Sequence, residues 1–413
     1  MKTRPDLLDQ HSPDGLEVVQ LTHEEGMPGG HIYMEAQILT PDSKRLILQR
    51  SGFAHGSDRK DPSHQFLLCD LADHCRLTPI TYEVGATSPS ISPDGKVIYY
   101  FVDQTSPAGG KLTLKSVKID GTDRRMLMVL DQPLAGMPGY LSEIYPLSTI
   151  SSDGQHLAIS AFLGDGRQEA APYGLLVFDL CKLSVNAILT GTTWCNIHPQ
   201  YCRSQDPEAA NDILIQENHG CAYTPLGEIT TLVSGLGADI HIIRDDGSAL
   251  RDLPFGRDAH EACQGHQCWR GVSSWVISSI MVDAPSQQQL VEGLAAPHVG
   301  HVGLHIPGAV WNVVSRSFAE PHFWHFGTDR AGTRLVSDAG DFGIHQAIYL
   351  ADLQGVGEPA ANWCYLLTPH SHSELGIHLH PFISPDGRYA FFNSDESGLP
   401  QAYMIAGLPE VVH

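Results

Sequence analysis

The stretch HLHPFISPDGRYAFFNSD, His378–Asp395, is a turn between two β-rich runs. Proline presets one turn dihedral, Asp-Gly supplies the tight reversal, and apolar residues alternate into the strands on either side. The same signature recurs along the chain. LTPDSKRLIL starts at Leu39, ISPDGKVIYY at Ile91 and ISSDGQHLAIS at Ile150. Weaker copies start at His198 (HPQYCRSQDPEAANDILIQ), Cys268 (CWRGVSSWVISS) and Gly327 (GTDRAGTRLVSDAG), which makes seven in all. Their spacing is roughly 50 to 60 residues, the range of a repeated supersecondary unit.

After most copies a second pair of β-rich runs follows around another polar turn, as in FLLCDLADHCRLTPIT from Phe66 and IHIIRDDGSALRDLPF from Ile240. Four strands per unit is the pattern of a propeller blade. The sequence therefore predicts an all-β, seven-bladed β-propeller, with residues 1–413 forming one domain. Helical periodicity is confined to a short candidate, QQQLVEGLAA, Gln287–Ala296.

Lys plus Arg total 25 against 47 for Asp plus Glu, a formal net charge of −22. That balance lacks the basic footprint of a nucleic-acid or anionic-membrane partner, so an anionic substrate needs a locally positive site. Oligomeric state is not readable. The start is polar with no apolar signal-peptide core, and no apolar run approaches the ~18 residues of a membrane span. Nine scattered cysteines without a Cys-x-x-Cys pair suit reduced thiols. Together these features lead to the expectation of a cytoplasmic protein. Histidine stands out, with 23 residues crowded into a few segments.

Four of those segments carry a family resemblance: HLHPFISPDG, PHFWHFGTDRAGTRLVSD from Pro321, AHEACQGHQCW from Ala259 and WCNIHPQY from Trp194. With the repeat architecture they resemble the oligogalacturonate lyases, cytoplasmic seven-bladed propellers that cleave short uronic-acid oligomers with manganese. The resemblance implies metal ligands at His378, His380 and His325, and a proton-abstracting base at His266. Two positions depart from the family pattern. The glutamine expected before the His-x-His pair is Leu375, with Glu374, His372 and His370 as nearby substitutes. The expected catalytic arginine falls at Asp239, leaving Arg270 as the candidate cation. These departures argue for an anionic sugar acid other than plain digalacturonate.

The residues carry part of this reading unaided. Alternate residues of a strand share a face, so His378 and His380 offer a two-imidazole platform, and His325 opens the preceding blade at an equivalent place. Imidazole suits Mn, Fe, Ni or Zn without choosing among them. A histidine near its ordinary pKa is a suitable base for elimination from a uronate, and a guanidinium pairs with the substrate carboxylate. His31, His198 and His219 stand at blade starts or strand ends and are candidate substrate contacts; His260 with Glu261 is a reserve base pair. Two other classes fit the same sequence. A non-catalytic propeller similar to the TolB-type repeats would bind no metal, and a uronate epimerase would bind metal without releasing an unsaturated product.

Overall fold

The computed structural model describes residues 1–51, 59–232, 237–253, 261–282, 298–305, 311–313, 323–340, 345–355, 358–373 and 376–410. Six four-stranded antiparallel sheets follow one another along the chain. Their first strands are Gly30–His31, Ala86–Ile91, Thr149–Ile150, Gln200–Tyr201, Glu261–Trp269 and Phe323–Thr328. One further sheet has five strands in the order Phe382–Ile383, Ala390–Ser394, Gln401–Ala406, Glu17–Gln20, Lys2–Thr3. The fold is thus an all-β propeller, but the expected seven equal four-stranded units are replaced by six such blades and this composite sheet. The physical reason lies at the chain ends. The last copy of the repeat contributes three strands to the sheet, and two amino-terminal strands extend it, with Val19 opposite Met404.

The turn chemistry read from sequence operates as local hydrogen bonding. In the copy at Ile91, the Ser92 hydroxyl donates to Asp94 Oδ1 at 2.6 Å and accepts from the Val97 amide at 2.9 Å. Ser384 repeats this with Asp386 at 2.7 Å and with the Tyr389 amide at 3.0 Å. The turn glycine also has a packing role. A β-carbon on Gly95, which has φ 73°, would lie 3.0 Å from Pro41 Cδ, and one on Gly154 would lie 3.3 Å from Pro93 Cδ. Each turn therefore nests on the proline of the preceding blade. Ser43 occupies the glycine place of the first copy and adopts φ 57°, which an L-residue reaches only at a cost.

Apolar residues of neighbouring sheets interlock between blades, with the Phe101 and Phe178 rings edge-on at 5.1 Å. First strands of the six four-stranded blades and of the five-stranded sheet, or residues following them, line one central cavity: Ile38, Ile91, Ile150, Gln200, Trp269, Thr328 and Phe382. Among the described residues the one helical element is a short 3-10 turn at Pro5–Leu7, and no helix is long and apolar enough to cross a membrane. The helical candidate Gln287–Ala296 lies outside the described residues.

Candidate metal centre

Four inward-facing histidines sit where the first strand of a blade departs from regular geometry. His266 follows Gly265, which has φ 80°, inside a register shift between Cys263 and Gln267. His325 lies in a shift between Phe323 and Phe326. Bulges of this kind re-aim a side chain that a regular strand would direct elsewhere. The expectation that His378 and His380 share a strand face is corrected: both precede Phe382–Ile383, and His380 has φ 45°. His198 does the same at φ 49°, and each of the two histidines is followed by proline. Such left-handed non-glycine residues cost about 1–3 kcal/mol and persist where their surroundings hold them. Here Leu379 is fully buried and its carbonyl accepts from the Asn393 amide at 2.9 Å.

The ligand atoms of His325, His378 and His380 all lie within 4.8 Å of one another. His325 and His380 are buried and His378 is half-buried. The His325 ring stands 4.2 Å from that of His380 and 5.4 Å from that of His378. Asp338, on the adjacent strand, fixes His325 twice: Oδ1 accepts the backbone N–H at 2.7 Å and Oδ2 faces Nδ1 at 2.8 Å. A proton on Nδ1 bonded to carboxylate leaves the Nε2 lone pair for a ligand, the usual outer-shell arrangement of a metal-binding histidine. Burial holds His325 well below the usual imidazole range, helped by His378 and His198, and burial also lowers His378. Neutral imidazoles offer lone pairs without proton competition. Burial raises the Asp338 carboxyl to about 7, partly offset by the His325 amide.

Around this group stand residues of other blades. The His266 ring is 4.4 Å from that of His325. Tyr33 bridges, with its ring 4.6 Å from His380 and 5.3 Å from His198. His198 is clasped by Tyr145 Oη at 2.8 Å from Nε2 and by Glu35 Oε2 at 2.8 Å from Nδ1. Burial raises the Glu35 carboxyl, with His198 opposing. Sequence reasoning missed Asp338, Tyr33, Glu35 and Tyr145. Asp338 and Glu35 did leave a signal, each being an acid set in an apolar run, LVSDA and YMEAQI.

The remaining candidates are placed elsewhere. His31 is fully buried with Nδ1 2.6 Å from its neighbour's carbonyl at Ile32 and its ring edge-on to Phe382 at 4.9 Å. Its amide donates to Asn393 Oδ1 at 2.8 Å, so it braces the segment carrying the histidine pair rather than facing a substrate. His219 pairs with Asp239 at 2.8 Å. His372 is exposed and bound to Asp395 at 2.9 Å, so it does not complete the metal shell. Arg270 is corrected likewise: its guanidinium donates to the carbonyls of Gly332 at 2.7 Å and Gln354 at 2.8 Å, stitching neighbouring hairpin turns. Glu374, Leu375 and His260 lie outside the described residues; Glu261 opens the strand Glu261–Trp269.

No protein-family model and no curated protein matches the chain in sequence. Solved structures do match in fold. An oligogalacturonate lyase in complex with manganese superposes with a TM-score of 0.70 at 18% identity, over 99% of this chain and 96% of that one. The oligogalacturonate lyase of Vibrio parahaemolyticus gives 0.66 at 17%, with the same coverage. A chain of the mitotic checkpoint complex gives 0.50 at 10%, over 95% of each. The chain thus shares its propeller fold with oligogalacturonate lyases along nearly its whole length.

Proposed function

We propose that this protein is a metal-dependent lyase that cleaves short uronic-acid oligomers by β-elimination. The observation that carries the reading is the convergence of His325, His378 and His380 to within 4.8 Å, with Asp338 behind His325. In this reading the five-stranded sheet serves as the seventh blade of a single domain. Three half-buried or buried imidazoles fit a divalent first-row ion, and the manganese complex of the structural neighbour favours Mn²⁺. Such an ion would supply Lewis acidity toward the carboxylate next to the reacting carbon.

The chain's own residues do the rest. His266, beside the group yet outside the three-histidine set, takes the proton from C5 of the uronate. Tyr33 and the His198–Glu35–Tyr145 cluster form a polar wall able to orient hydroxyls of the sugar. Arg270 is held by the carbonyls of Gly332 and Gln354, and Asp239 pairs with His219. The substrate is accordingly a short uronide other than plain digalacturonate, or one turned over slowly if it is digalacturonate.

Two measurements test this. Metal analysis of protein purified without chelator is set beside the His378→Ala, His380→Ala double variant; bound divalent metal in the first and none in the second is expected. A screen of short uronate oligosaccharides then follows absorbance of the unsaturated product. Equal, negligible metal in both proteins refutes the centre, and bound metal with no unsaturated product from any uronide refutes the lyase.

A further inference from the structure

The central cavity, about 180 Å³, lies on the hairpin-turn side of the histidines. None of His266, His325, His378 or His380 lines it. Glu35 lies at its wall, and Arg203, Arg330 and Gln205 point to its other end. Arg203 is partly buried and Arg330 is exposed.

The two arginines are unusual in this molecule. In a chain of net charge −22, most described arginines are tied to acids or carbonyls, among them Arg4, Arg45, Arg59, Arg251 and Arg334. The guanidinium groups of Arg203 and Arg330 make no hydrogen bond or ion pair with any described residue, yet both face the same cavity. Their charges oppose one another, and burial depresses the Arg203 guanidinium further. Nearby polar groups are already used: Gln200 Nε2 donates to the Gln267 carbonyl at 2.7 Å, and Gln37 Nε2 donates to the Ile150 carbonyl at 2.9 Å. The acid that lines this cavity, Glu35, is bound to His198, and two like charges facing one cavity cost free energy unless an anion sits between them. A planar guanidinium matches a carboxylate in two-point contact.

We infer that the hairpin-turn end of the axial cavity is a second binding site, for a small carboxylate anion, with Arg203 as its recessed anchor and Arg330 at its mouth. The cavity accepts a ligand of monosaccharide size at most. The choice of a uronic acid as occupant rests on the proposed function; the anion site itself rests on the two arginines.

The test is calorimetric titration of galacturonate and, separately, inorganic phosphate into wild-type protein, the His378→Ala, His380→Ala variant, Arg203→Gln and Arg330→Gln. Galacturonate is expected to bind the histidine variant, which lacks the metal centre, and the wild type keeps that binding whatever the triad adds. Arg203→Gln weakens that binding at least about tenfold, the worth of a lost charge-assisted hydrogen bond. Arg330→Gln weakens it less. If Arg203→Gln melts early, Arg330→Gln, altered on an exposed mouth, still reads the loss. Absence of binding to the histidine variant, or unchanged binding to Arg203→Gln, overturns the site. Phosphate bound as tightly as galacturonate overturns the carboxylate assignment. Because the readout is binding to a protein without the histidine pair, its failure is separable from failure of the lyase reading.

Discussion

Asp338→Asn isolates the contact on which the metal centre leans. In the native protein one carboxylate oxygen accepts the His325 amide N–H at 2.7 Å and the other faces Nδ1 at 2.8 Å. Asparagine can keep the first bond through Oδ1, but its NH₂ group then meets Nδ1 and can only donate. His325 must respond by placing its proton on Nε2, the nitrogen that faces the other histidines, or by turning its ring. Loss of an outer-shell partner of this type typically weakens metal binding 10- to 100-fold, about 1.4 to 2.7 kcal/mol. Mn²⁺ affinity, measured by competition against a chelating dye, should fall in at least that range. The fold should survive, since an amide of equal size replaces a carboxyl that burial already raises to about 7. Asp338→Asn with wild-type Mn²⁺ affinity and wild-type melting would show that Asp338 does not set the His325 tautomer.

Three further outcomes are expected. His266→Ala should retain its metal and its melting temperature while losing at least about a hundredfold in turnover; loss of the metal would make His266 a ligand instead. His31, whose pKa burial lowers to about 4 from an ordinary 6.5, contributes stability that is complete above pH 6.5 and is lost as pH falls toward 4, about 3 kcal/mol in all. Because raised carboxyls such as Asp338 and Glu35 act with the opposite sign, the measurement is the difference in denaturant stability between wild type and His31→Gln, which should change in favour of the variant on going from pH 7 to pH 4.5; a constant difference refutes it. Arg4, joined to Glu396 across the closing sheet with both side chains nearly buried, should cost roughly 3 kcal/mol when changed to alanine, and a midpoint within experimental error of wild type would refute that.

The fold was legible because the repeat is written in turn residues, and turn chemistry is local. Ser-Pro-Asp-Gly makes its own hydrogen bonds within five residues, whatever the rest of the chain does. The closure was not legible, because Glu17–Gln20 carries no turn signature linking it to Gln401–Ala406; only the shortage of strands after the last copy hinted at it. For the site, residue type and blade position were enough to bring His325, His378 and His380 together. The reason given for the pair was wrong in its geometry, since a positive φ at His380, not strand alternation, aims the ring. Arg270, His219 and His372 are held by carbonyls or acids distant in the chain, a tertiary fact that spacing along one segment does not encode.

The composite sheet also sets an order of assembly. Six blades are built from strands close in sequence, but the composite sheet needs Glu17–Gln20 to meet Gln401–Ala406, more than 380 residues on. His378 and His380 lie just before the first strand of that sheet, and Asn393, which steadies Leu379 between them, is itself bonded to His31 near the other terminus. A contact spanning such a separation forms late and slowly, because the entropy of closing the loop must be met first. The histidine triad is therefore finished only when the ring snaps shut, and a nascent or clipped chain would leave the triad unassembled.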